Sequence, residues 1–161
     1  MQKKIITTEK LSVFLLCLIL TLIIIPGRQA YAALGGSSDS IASDKKALKA
    51  VRSATVTSSK YTVHEFQSGG TIIREYVSSS GIVFGIAWKG LTHPDLTPLL
   101  GTYAPEHKKA ASHAKRQPGS RHSRIKSDNI VVEKWGHMRN LQGRAYVPAL
   151  IPEGIGINEI K

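Results

Sequence analysis

The stretch from Tyr61 to Lys89 constrains the fold more than any other part of the chain. It reads YTVHEF, QSGG, TIIREYV, SSSG and IVFGIAWKG, β-rich runs alternating with turn residues. Runs of β-branched and aromatic residues split by Gly and Ser clusters predict an antiparallel meander of three strands. In the last run a period of two puts Ile82, Phe84, Ile86 and Trp88 on one face and Val83, Gly85 and Ala87 on the other. The large face is a core face. The small face admits another backbone close by, because Gly and Ala in a strand mark close approach, and helix packing is the favoured reading over a ligand platform.

Other elements gather around this meander. Ser43 is placed to cap a short helix running to Val51, whose thin apolar face is Ile41, Leu48 and Val51. The lead ALGGSSDS before it reads as flexible, and SATVTSSK after it as polar loop or frayed strand. In LTHPDLTPLLGTYAP, Thr97 can cap a helix that has Pro98 at its first position, Leu99, Leu100 and Tyr103 as its stripe, and Pro105 as its stop. An earlier start at Thr92, with Asp95 closing a capping box, would bury Pro98 in the helix at a cost of about 3 kcal/mol. Two more strands are expected in IVVEKWGHMR and LQGRAYVPAL, around Asn140 and Gln142-Gly143, and the tail IPEGIGINEIK reads as irregular. The expectation is a small single α+β domain: an antiparallel sheet of about five strands with one or two short helices.

The amino end has a different character. Lys3, Lys4 and Lys10 precede the apolar run Leu11 to Ile25, which Pro26 and Gly27 end short of the 18 to 20 residues a membrane span needs. Ala30 and Ala32 are the small residues three and one before a cut, so residues 1–32 read as a cleavable secretory signal peptide, with the working domain at 33–161 beginning at Ala33. An uncleaved anchor or a buried core helix is the alternative. There is no twin arginine, so the general secretory route, to the periplasm or outside the cell, is expected. Cleavage removes Cys17, the single cysteine, and with it any disulfide, zinc-thiolate site or cysteine nucleophile.

Charge is the next constraint. Lys and Arg number 22 and acids 11; losing Lys3, Lys4, Lys10, Arg28 and Glu9 with the leader brings these to 18 and 10, a charge of +8. The excess concentrates between His107 and Lys126, which hold Lys108, Lys109, Lys115, Arg116, Arg121, Arg124 and Lys126, three histidines and no acid. Such a run, read here as a basic flexible loop over 107–126, suits phosphates or carboxylates on a polymer, a lipid surface or an acidic protein, and equally suits a merely solvated segment. The compartment disfavours nucleic acid.

Sites of chemistry are harder to find. His64-Glu65, His93 with Asp95, and His137 are the polar sets that could meet across one sheet, but no H-E-x-x-H and no pair of His on one helical face is present. Arg74 and Glu75 read as a cross-strand ion pair, and Thr92-His93-Pro94-Asp95 as a turn. The serines at Ser37-Ser38 and Ser78 to Ser80 sit beside turn glycines, and there is no G-x-S-x-G elbow. No dinucleotide fingerprint or P-loop is present, and neither a cofactor nor a metal is implied.

Three blocks carry a resemblance: Ala33-Leu34-Gly35-Gly36, Arg74 to Tyr103 and Val131 to Gly154, with Trp88-x-Gly90-x-x-x-Pro94-Asp95-Leu96 and Leu99-Leu100-Gly101 as the most specific motifs. Together they resemble the domain of unknown function 2844 family. The resemblance implies an exported bacterial protein, and it brings no activity and no catalytic residues. Two functions therefore stand as expectations. One is a non-catalytic envelope-binding or accessory module acting through the basic segment; the other is a small hydrolase or metal-dependent enzyme using His64, His93, Asp95 or His137.

Overall fold

A computed structural model describes residues 34–38, 41–115 and 119–161. The leader, the cleavage residues Ala30, Ala32 and Ala33, and Arg116 lie outside the described residues. Seven strands form one antiparallel sheet: β1 (Arg52–Thr57), β2 (Tyr61–Ser68), β3 (Thr71–Ser78), β4 (Val83–Gly90), β5 (His122–Lys126), β6 (Val131–His137) and β7 (Asn140–Tyr146). Their order is β1-β2-β3-β4-β7-β6-β5, so two meanders meet along β4 and β7. Among the described residues three α-helices, α1 (Ile41–Ala47), α2 (Leu96–Leu100) and α3 (Ala104–His113), complete an α+β domain.

The sheet exceeds the expected five strands by its two edges. Ser53 to Thr57 are exposed along β1, so no apolar alternation betrays that strand, yet β2 gives it a continuous ladder from Arg52↔Gln67 to Thr57↔Thr62. At the other edge, the basic segment is a loop only in part. Its first third belongs to α3 and its last five residues are β5, paired with β6 from His122↔Trp135 to Lys126↔Val131. Glu106 of α3 fastens the β5–β6 turn by accepting from the Asn129 backbone N–H at 3.0 Å and its Nδ2 at 3.2 Å.

The helices depart from expectation at their ends. α1 begins at Ile41 and stops at Ala47, because Lys49 takes φ 51°. Ala50 N–H donates to Lys45 O at 2.8 Å and Lys49 N–H to Lys46 O at 3.1 Å, the paired bonds of a left-handed helix ending. Val51, expected on the buried stripe, lies past that ending and is exposed. At α2 the cap is Asp95 and not Thr97: its Oδ1 accepts from the Thr97 N–H at 2.9 Å, which leaves Pro98 in the first turn, where an N–H has no helical partner to lose. Pro105 opens α3 instead of closing α2, for the same reason. The lead is pinned as well: Leu34 N–H donates to Leu99 O at 2.9 Å, and Ser37 bridges Ile82.

Each sheet face is covered. On one, Phe66, Ile73, Ile86, Trp88 and Val132 pack beneath Leu34, Ile41 of α1 and Leu99 and Leu100 of α2. On the other, Tyr76, Phe84, Ala87, Val131 and Tyr146 pack beneath Ile155 and Ile160 of the carboxyl-terminal segment. Fully burying each such aliphatic or aromatic side chain stabilises by about 1.5–3 kcal/mol, so both covers matter.

A bulge decides which β4 residue faces which cover. Tyr76 pairs with Gly85 and Val77 with Val83, leaving Phe84 as the extra residue. Phe84 therefore joins Gly85 and Ala87 on the tail side, against the strict alternation expected, while Val83 turns to the helices. The small face is indeed closely approached, but by the tail and not by a helix: a Cβ on Gly85 would lie 2.9 Å from Ile160 Cδ1.

Candidate functional site

Pairing of β5 with β6, and the packing of α3 beside β5, fold the basic run back on itself at one edge of the sheet. Lys108 and Lys109 come from α3, Lys115 and Arg121 from the connection, and Arg124 and Lys126 from β5, all exposed. Among the described residues, Arg124 is the one member held in an ion pair, with Nε 3.2 Å from Glu133 Oε1. Glu133 is shared: its Oε2 accepts from Arg144 Nε at 2.5 Å. The Arg144 guanidinium lies 5.7 Å from the Trp135 ring centre and 5.9 Å from that of Tyr146, and it also donates to Ile157 O at 2.8 Å. One carboxylate thus faces two guanidiniums, and the cationic edge keeps its excess.

The four residues of the enzyme reading are not brought together. His64 on β2 and His137 at the end of β6 are separated by β3, β4 and β7, about 19 Å at about 4.8 Å per strand step. His64 Nδ1 meets Thr55 Oγ1 at 3.2 Å; Asp95 is occupied as a helix cap; His93 Nδ1 accepts from Trp88 Nε1 at 2.9 Å. Burial, and then the Lys134 charge, hold His93 and His107 below the ordinary imidazole value, and burial lowers the Lys134 ammonium. His64 is lowered by burial and by Lys45. Among the described residues no three His, Asp or Glu converge as a metal site would require.

A different polar pair emerges in the structure. Arg74 pairs with Glu65, Nε to Oε2 at 2.8 Å, and not with its neighbour Glu75. Adjacent strand residues face opposite ways, so Glu75 points under α1 with Ile73 and Val77. There it meets Asp44. Asp44 is 0% and Glu75 1% exposed, and none of their four carboxyl oxygens receives a donor from the described residues. Burial pushes both groups above the ordinary carboxylate range; for Glu75 the charge of Asp44 adds to this and Lys45 opposes it, while the contact with Glu75 partly offsets the rise at Asp44. Two acceptors in contact with no donor between them require a retained proton. The available sequence signal was the period of two in TIIREYV, which sets Glu75 on the apolar face.

Residues 30–160 match a family model described as a protein of unknown function, DUF2844. The chain belongs to this family. The match takes in the seven strands and the three α-helices of the described residues. Comparison with curated proteins and with solved structures finds no match. Among the described residues no helix is long and apolar enough to cross a membrane.

Proposed function

We propose that this chain is an exported, non-catalytic module that holds an anionic component of the cell envelope, a glycan, a lipid headgroup or an acidic protein, on its cationic edge. One observation carries the reading: Lys108, Lys109, Lys115, Arg121 and Lys126 stand exposed along α3, β5 and the connection between them, with no ion pair among the described residues. Cations on a half-buried strand would be a packing cost, whereas on an edge they remain free to neutralise an external charge and also discourage strand-to-strand aggregation. The apolar leader with its Ala30-x-Ala32 site supports export, and the family match begins only at residue 30.

The test is retention of the mature chain on vesicles of zwitterionic lipid with and without phosphatidylglycerol, and on an immobilised polyanionic glycan, across a salt series. Binding that weakens steeply with salt, and falls on replacing the five free cations by glutamine, supports the reading; each cation near an anionic surface contributes about 1 kcal/mol. Retention on neither probe, or retention unchanged in the five-fold variant, refutes it. Sequencing the amino end of protein recovered from the cell exterior checks export, with Ala33 as the expected first residue.

A further inference from the structure

We propose that Asp44 and Glu75 share a proton across the contact of α1 with β3, forming a latch that holds α1 on the sheet and releases it when the proton is lost at alkaline pH. The geometry is the argument. A helix of seven residues does not hold its shape alone, so α1 depends on what it touches. Its apolar anchor is Ile41, with Leu48 and Ala50 only partly buried beyond its end. Ser68 Oγ donates to Leu48 O, and Val51 N–H donates to Gln67 O at 3.0 Å. Besides these ties and its packing on α2, α1 meets the sheet through the acid pair, buried in full and without any outside donor among the described residues.

Among the described residues the surroundings hold no ion-pair partner for a second negative charge. Across the sheet, Glu75 is flanked by His64 of β2 and Ile86 of β4. His64 is engaged with Thr55, and burial together with Lys45 keeps it neutral at neutral pH. Lys45 of α1 favours the carboxylate of Glu75 from a distance but forms no ion pair among the described residues. α2 presents Leu99 and Leu100 to the same space. With one proton retained, the carboxyl of one residue donates to the carboxylate of the other. When that proton passes to solvent, two like charges remain in apolar surroundings, and the relief available is withdrawal of Asp44 together with α1.

Hydrogen exchange of the Leu48, Ala50 and Val51 amides, corrected for intrinsic rate, reads the latch between about pH 6 and about pH 11. Protection is expected to fall by up to about tenfold per pH unit where one proton is being lost, while amides of β3 and β4 keep theirs. In the double variant Asp44→Asn/Glu75→Gln the amides can still bond one another but cannot ionise, so protection should be flat with pH. Carboxyl-carbon NMR titration of the unaltered protein gives a readout that needs no variant: both signals should titrate above the ordinary range near pH 4. A pH-independent α1, the same loss of protection in the double variant, or ordinary titration of both carboxyls each overturns the proposal. So does release of α1 by a chelator with recovery on adding calcium or magnesium, which would assign the orphaned oxygens to a cation.

Discussion

Trp88 donates its indole N–H to Nδ1 of His93 across 2.9 Å, the rings standing edge to face with centres 6.1 Å apart. The bond fixes His93 as the neutral tautomer with its proton on Nε2, because a protonated imidazole has no acceptor to offer. Burial and Lys134 hold His93 below its ordinary value, and His107 is shifted the same way. The unfolded chain therefore takes up protons at these two imidazoles first as pH falls below about 6.5, so their contribution to stability is lost in that direction, while the raised carboxyls of Asp44 and Glu75 contribute with the opposite sign. With the opposing acid pair removed in an Asp44→Asn/Glu75→Gln background, denaturant midpoints should drop between about pH 7 and about pH 5, with a change in Trp88 emission read when Trp135→Phe is added. His93→Ala should cost about 1–2 kcal/mol at neutral pH by stranding the indole N–H, and should flatten part of the acid dependence.

Glu133 and its two arginines separate buried from exposed electrostatics. Arg144 has 18% side-chain exposure and Arg124 has 55%, against 8% for Glu133. Glu133→Gln removes the charge that balances a half-buried guanidinium and should cost about 2–3 kcal/mol. Arg124→Ala loses an exposed pair and should cost under about 1 kcal/mol. Arg144→Lys cannot span Glu133, the Ile157 carbonyl and the Trp135 and Tyr146 rings together, so it should fall nearer to the glutamate variant. Equilibrium denaturation of the three proteins gives the ranking, and Arg124→Ala proving the most damaging would refute it.

How much of this was legible follows from what each residue faces. The meander and the final hairpin could be read because their core-facing residues alternate with polar ones or run apolar throughout. β1 and β5 could not, because a strand at a sheet edge shows its neighbours only a backbone, and an exposed RSATVT or HSRIK carries no period of burial. Phe84 was misplaced because a bulge is a property of two strands at once; nothing in IVFGIAW says that Tyr76 will span Phe84 and Gly85. The basic edge was visible as composition, though not its folding into helix and strand. The Asp44–Glu75 contact joins two positions 31 apart, and Asp44 in isolation reads as a helix-start acid.

Three glycines test the packing in graded fashion. A Cβ on Gly143 would lie 2.2 Å from Trp88 Cζ2 and 2.6 Å from the Glu133 carbonyl oxygen, in the β7 position directly opposite Trp88. The backbone oxygen cannot step aside without breaking the β6–β7 ladder, so Gly143→Ala should cost about 3 kcal/mol and displace the indole. At Gly85 the obstacle is the tip of Ile160, 2.9 Å away at Cδ1, which can change rotamer at some expense to the tail's cover over Phe84. Gly85→Ala should cost about 1 kcal/mol. Around Gly156 a Cβ meets nothing within 4 Å and φ is −82°, so alanine there only restricts the unfolded chain and should be neutral or stabilising by up to about 1 kcal/mol. Thermal or denaturant unfolding of the three variants should give Gly143→Ala as the least stable and Gly156→Ala as the most; equal losses at Gly85 and Gly143 would mean that the ladder yields as readily as a side-chain tip.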